Sequence, residues 1–339
     1  MKSFFRIFYS KTPKIKDSNG NFKPDSVATL EKISLGGLDQ WILIRGHSIN
    51  NPVLLFLHGG PGSIEGPFAY KFESELEKYF IFVNWDQRGA GKSYSKKILK
   101  TDITIENYIS DTHELVLHLR ERFQKEKIYL VGHSWGSILG MLVVQRYPDL
   151  FYAYIGIGQV VKAIDNEKIS YQFVIDQAKK LGNKKAQKQL EKIQPYPSEN
   201  LKHLRIQRKW LAKFGGFMHG EKSMWPLLKI GIFSPEYSFK DLYRFYKGSK
   251  FSLECLWLEL LKIDFFEQIP EIKVPAYFCV GRHDYMTPFE LAERYFKRLK
   301  APKKKLIWFE NSGHNLNFEE PKKFDDVLIN QILPDTYKK

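Results

Sequence analysis

The chain has 339 residues, of which 43% are hydrophobic and 27% charged, with a formal net charge of +15. That length holds one large domain, or a domain with a sizeable insertion, and the apolar fraction suffices for a packed core. A basic balance suits nucleic acid or an anionic surface, but here the lysines are spread along the chain, with no zinc-finger spacing, RNP motif or long basic tail, so nucleic acid is excluded as the expected partner. Cys255 and Cys279 are the only cysteines, which is too few for a disulfide framework and suits a reducing compartment. The apolar residues of MKSFFRIFYSK are broken by Arg6 and too few for a signal core or a membrane span, and no later run is long enough to cross a bilayer. The expected location is the cytoplasm.

Taken in order, residues 1–26 read as an irregular arm. Leu30 to Leu35 and Gln40 to Arg45 are strand-like runs joined by Gly36-Gly37-Leu38-Asp39, a hairpin signal. Val53 to Leu57 is a continuous apolar strand running into His58-Gly59-Gly60-Pro61-Gly62. Tyr79 to Trp85 is another, running into Asp86-Gln87-Arg88-Gly89-Ala90-Gly91-Lys92-Ser93. Ile105, Tyr108, Ile109, Thr112, Val116 and Leu119 fall on one helical face. Ile128 to Val131 then leads through Gly132-His133-Ser134-Trp135-Gly136 into a helix, and Tyr152 to Ile157 is one more strand. From 160 to 272 the pattern is mostly helical and punctuated by prolines and glycines, as in an inserted α-helical cap. The alternation then resumes with a strand over Pro275 to Gly281, a helix over Pro288 to Leu299, a strand over Lys305 to Glu310 and a last helix over Pro321 to Ile332. Strands alternating with helices on both sides of an insertion define an α/β protein. Its sheet is mostly parallel and doubly wound, built from residues 27–159 and 273–339, with 160–272 as the cap.

The chemistry centres on Ser134. A G-x-S-x-G between a buried strand and a helix is the setting of a nucleophile elbow. Gly132 and Gly136 make room for the turn, and the helix N-terminus offers N–H groups to an oxyanion. A serine needs a base, and the base an orienting acid. Two later strands end in suitable residues, Asp284 and His314, and the order Ser134, Asp284, His314 is that of α/β-hydrolases. His133 and His283 adjoin other candidates and should point elsewhere. His58 reads as a loop-shaping residue, Asp86 as a partner for Arg88 or nearby backbone, and Glu310 lies too close to His314. The oxyanion donors expected are the N–H groups of Trp135 and Gly60. The stretch from Gly89 to Ser93 has Asp86 where a phosphate loop needs glycine, so no nucleotide is expected. No histidine–carboxylate cluster has metal-ligand spacing, so no metal or other cofactor is expected either.

Together HGGPG (58–62), DQRGAGKS (86–93), GHSWG (132–136), GRHD (281–284) and GH (313–314) resemble the proline iminopeptidase family of α/β-hydrolases. The resemblance implies a cofactor-free serine aminopeptidase that releases an N-terminal residue from small peptides. Ser134, Asp284 and His314 would form its triad, and Gly60 and Trp135 its oxyanion hole. Family members hold the substrate's α-amine with cap glutamates, one of them in a Trp-Glu dipeptide. This chain has no such dipeptide, and Glu221, Glu254 and Glu259 stand as substitutes. An esterase, lactonase or amidase with the same triad is the alternative, and a non-catalytic binding protein on a hydrolase fold is a third reading.

Overall fold

The computed structural model describes residues 10–220 and 225–337. Eight strands form one sheet in the order β1-β2-β4-β3-β5-β6-β7-β8. They are β1 (Val27–Leu35), β2 (Leu38–Gly46), β3 (Val53–Leu57), β4 (Ile81–Asp86), β5 (Ile128–His133), β6 (Phe151–Ile157), β7 (Ala276–Gly281) and β8 (Lys304–Phe309). β1 and β2 form the expected antiparallel hairpin, β2 pairs antiparallel with β4, and every pairing from β4 across to β8 is parallel. The central strands read as unbroken apolar runs because both faces of the sheet are covered. Leu55 and Leu57 of β3 join one core layer and Leu54 and Phe56 the other.

Short α1 (Ala69–Phe72) follows β3, α2 (Ile105–Phe123) follows β4, and α3 (Trp135–Arg146) follows β5. The Thr104 hydroxyl accepts the Asn107 N–H to cap the start of α2, and Gln124 closes it with φ 51°, satisfying end groups that a helix leaves open. Between β6 and β7 the described residues form helices α4 (Ala163–Lys180), α5 (Lys184–Glu191), α6 (Leu201–Lys213), α7 (Trp225–Ile232), α8 (Phe239–Leu260) and α9 (Phe265–Gln268). They have their own apolar centre around Tyr171, Val174, Leu190, Trp210 and Trp257. The chain ends in α10 (Phe289–Arg298), α11 (Leu316–Glu319), α12 (Pro321–Asp326) and α13 (Leu333–Thr336).

Some boundaries differ from expectation. β4 begins at Ile81 because Tyr79 and Phe80 still donate their N–H groups to Leu76 of the preceding turn. The last helical stretch passes through a π-helical turn over Val327–Ile332 into α13. It outruns Ile332, with Pro334 inside α13 directly after the π-helical turn.

The 160–272 segment packs over the carboxyl ends of β3 and β4. A Cβ on Gly62 would come within 2.8 Å of the Ser249 backbone, and one on Gly248 within 2.5 Å of the Gly89 carbonyl. Polar contacts fasten it there. Lys92 Nζ donates to Asp241 Oδ2 (2.7 Å) and to Ser10 Oγ (2.7 Å), and Tyr237 donates to Asp86 Oδ1 (2.7 Å). The arm joins the same cluster, with Lys11 N–H on the Pro235 carbonyl and Thr12 on Glu236.

Of the two partners expected for Asp86, it takes nearby backbone and not Arg88. It accepts the Lys92 N–H and the Tyr237 hydroxyl, while Arg88 makes a two-pronged contact with Asp111 (2.6 Å to each oxygen). Gln40 adds a third bond to Asp111, so one buried carboxylate ties β2, α2 and the 86–93 loop. Removing one partner of a buried ion pair leaves the other charge stranded. Asp111→Ala is expected to cost about 3–5 kcal/mol, read as a lower urea midpoint. A loss under about 1 kcal/mol, the worth of an exposed pair, would show that the pair is not a tie.

Candidate active site

Ser134 sits between β5 and α3 with φ 54° and ψ −116°, a region that costs a non-glycine residue about 1–3 kcal/mol. The turn holds because the residues two before and two after Ser134 are glycines. A Cβ on Gly132 would lie 2.3 Å from the Gly136 carbonyl oxygen, and one on Gly136 2.0 Å from that of Leu57. The Ser134 N–H bonds the Ile157 carbonyl at the end of β6 (2.9 Å). The 58–62 loop closes in from the other side, since a Cβ on Gly59 would meet Ser134 Cβ at 3.2 Å.

Asp284 follows β7 and His314 follows β8, and both are buried. His314 Nδ1 lies 2.9 Å from Asp284 Oδ2. Asp284 also accepts the N–H groups of Met286 and Thr287 (2.9 Å each) and the Thr287 hydroxyl (2.6 Å). This crowd of donors holds the carboxylate still and makes Nδ1 the protonated nitrogen of His314, so Nε2 carries the free lone pair. The His314 main chain is fixed by its N–H to the Phe217 carbonyl (2.8 Å), and its ring lies against Gly158.

Ser134, His314, Trp135, Gly59 and Gly60 all line one cavity of about 450 Å³ between the sheet and the inserted helices. Among the described residues, the N–H groups of Gly60 and Trp135 donate to no protein acceptor, which leaves both able to meet a ligand oxygen. The rest of the wall is mainly apolar and includes Ile138, Leu204, Leu228, Phe245, Trp257 and Phe318. Among the described residues no cluster of histidine, cysteine, aspartate or glutamate could hold a metal ion, and no helix is long and apolar enough to cross a membrane.

The neighbouring histidines have other work. His58 Nε2 accepts the Gln87 N–H and its Nδ1 meets the Gly59 carbonyl, so burial keeps it neutral, with a pKa pushed down to about 4. His133 turns away to Glu65. His283 stacks on His219, and Glu310 pairs with Arg282. Cys279 is buried in β7, its thiol pushed up to about 12 by burial.

The expected amine-binding glutamates are not gathered here. Glu254 pairs with Arg205 and Lys250, and Glu259 accepts the Ile105 N–H, and neither lines the cavity. Both face outward or toward α2, as α8 buries Ser252, Leu256 and Leu260 instead. Glu221 lies outside the described residues. Among the described residues, the carboxylates that do line the cavity are Glu65 and Glu167. Glu167 is buried on α4, accepting from Tyr196 (2.5 Å) and pairing with Arg208. The sequence carried a signal for it: Ala163, Glu167, Ser170, Tyr171 and Val174 recur at helical spacing, which puts Glu167 on an inward face.

These features define a class. A parallel sheet whose β5–α3 turn strains a serine, with a histidine–carboxylate pair after later strands, is the α/β-hydrolase arrangement. Residues 52–321 match the family model for the alpha/beta hydrolase fold, and the chain belongs to that family. It is 39% identical over 305 residues to a probable aminopeptidase, YbaC, of Bacillus subtilis (strain 168), covering 89% of this chain and 96% of that protein. It is 26% identical over 291 residues to a proline iminopeptidase of Saccharolobus solfataricus, covering 82% and 84%. A solved proline iminopeptidase from Mycobacterium smegmatis superposes with a TM-score of 0.64 over 90% of this chain and 97% of that one, at 14% identity.

The paired Asp284 alone would raise the basicity of His314. Burial outweighs it, aided by the nearby His133, and the pKa of His314 lies below the ordinary imidazole value. Protonated His314 is thus the disfavoured form. An NMR titration should find its midpoint below about 6.5; a midpoint above that would mean that the carboxylate dominates.

Proposed function

We propose that this protein is a serine hydrolase working as an aminopeptidase of the proline iminopeptidase type. The observation that carries the reading is the buried Asp284–His314 pair, which shares one cavity with a serine held at positive φ. Ser134 Oγ attacks the carbonyl carbon of the substrate's first residue while His314 Nε2 takes its proton. Asp284 holds His314 and offsets the charge it gains. The carbonyl oxygen becomes an oxyanion facing the N–H groups of Gly60 and Trp135. His314 returns the proton to the leaving nitrogen, the C–N bond breaks, and Ser134 keeps the acyl group. Water, deprotonated by His314, then attacks the ester carbonyl, and His314 returns that proton to Ser134 Oγ as the ester C–O bond breaks and the free residue leaves.

Residues 160–272 act as a cap on a core of 27–159 and 273–339, with 1–26 as an arm. Glu167 reads the substrate amine in place of Glu254 and Glu259, because an ammonium entering a mainly apolar cavity needs a carboxylate. The free thiols of Cys255 and Cys279 suit the cytoplasm. The second reading, an esterase or amidase, draws on the apolar wall, which would accept a plain acyl chain.

Ser134→Ala should fold normally and lose about 10⁶ in kcat; appreciable residual turnover of an aminoacyl arylamide would remove Ser134 from the nucleophile's role. Free-amine arylamides should be cleaved and their N-acetyl forms spared. Equal cleavage of the two would transfer the assignment to an esterase or amidase. Glu167→Gln should raise KM for free-amine substrates about 10-fold, as for a lost charged hydrogen bond, with little effect on short acyl nitrophenyl esters. A parallel loss on both substrate types would show that Glu167 supports the cap rather than reading the amine.

A further inference from the structure

A second buried histidine–carboxylate pair lies beside Ser134, along the same cavity. Glu65 follows the 58–62 loop and His133 ends β5, and they are 6% and 4% exposed. His133 Nδ1 meets Glu65 Oε1 at 2.6 Å, and His133 Nε2 meets the main-chain carbonyl of His314 at 3.1 Å. The other oxygen of Glu65 accepts from Asn317 Nδ2 (3.0 Å).

The proton count is constrained. A carbonyl cannot donate, so Nε2 of His133 must carry a proton. If the ring were neutral, its bare Nδ1 would face a carboxylate oxygen, lone pair against lone pair, unless Glu65 itself were protonated. The pair therefore holds one proton more than a neutral imidazole beside a carboxylate. Burial opposes charge on His133, but Glu65 and the His314 carbonyl outweigh it, and its pKa lies above the ordinary value. The proton belongs on the ring.

We propose that Glu65 and His133 form a net-neutral imidazolium–carboxylate clamp that positions His314 and holds it in its base form. The clamp ties three loops together: the one after β3 through Glu65, the nucleophile turn through His133, and the turn after β8 through His314 and Asn317. Its positive end faces the His314 ring, with the ring centroids 4.8 Å apart. A second positive charge on His314 is disfavoured at that distance, and Asp284 pulls the other way. The charge of Glu65 tempers the effect, and His58 is kept neutral by burial. Neither Glu65 nor His133 touches the reacting atoms, so both are positioning residues. This inference rests on His314 being the base.

In the unmodified protein at pH 8, ¹⁵N shifts of His133 should show both ring nitrogens protonated, and a neutral ring overturns the clamp whatever the activity of the protein. His133→Gln keeps a side-chain N–H for the His314 carbonyl and removes the charge. It should move the acid limb of kcat/KM to higher pH by about half a unit or more with KM unchanged. His133→Ala removes both, and kcat should fall about 10-fold or more. A wild-type pH profile and kcat in a folded His133→Gln reduces the pair to packing. Full activity of Ser134→Ala, by contrast, would sink the proposed function and leave the charge state of His133 as measured.

Discussion

The constraint on which this molecule depends is a contact between backbones. Gly136 brings the start of α3 against the Leu57 carbonyl, and Gly132 brings the end of β5 against Gly136. Only the missing Cβ atoms allow that approach. It forces Ser134 into a strained conformation, and the surrounding bonds hold it there: its N–H on β6, the 58–62 loop at its flank, and the fully buried β3 and β5 with the largely buried β6 beneath. Strain of about 1–3 kcal/mol persists because a packed sheet has no slack with which to release it.

The electrostatics follow one rule, that a buried charge keeps a partner. Asp111 takes Arg88, Asp241 takes Lys92, Glu167 takes Arg208, Glu65 takes His133 and Asp284 takes His314. These pairs differ in their consequences. Arg88–Asp111 and Lys92–Asp241 join elements. Asp284–His314 keeps one ring nitrogen protonated and leaves the other as an acceptor. The coupling of His133 to the main chain of His314 makes the two histidine pairs one unit spanning four strand ends, those of β3, β5, β7 and β8.

The inserted helices complete the cavity. α8 lies on glycines of the loops after β3 and β4, while Lys92 and Tyr237 fasten it and the arm at residues 10–12 braces the same cluster. The cavity is thus apolar above and polar below. Among the described residues its upper wall carries one ion pair, the buried Glu167 with Arg208, whose carboxylate retains lone pairs for a ligand.

Local chemistry alone determined much of this. The central strands are mainly apolar runs, α2 has its periodic face, and the glycines around Ser134 permit only a tight turn, so the α/β alternation, the break after Gly158, and the order Ser134, Asp284, His314 were legible along the chain. Partners distant in sequence were not. Asp86 read as a mate for Arg88 or for nearby backbone; it does take the Lys92 N–H, but Arg88 reaches Asp111 on α2 and the other Asp86 oxygen reaches Tyr237. The glutamates of α8 looked available, but packing turned Leu256 and Leu260 inward and sent Glu254 and Glu259 elsewhere. Glu65, 68 residues from His133, became its partner only when β3 and β5 paired. Sequence carries the propensities of neighbours, whereas which buried charge meets which, and which face of a helix looks into the cavity, is decided when the sheet and the inserted helices pack together.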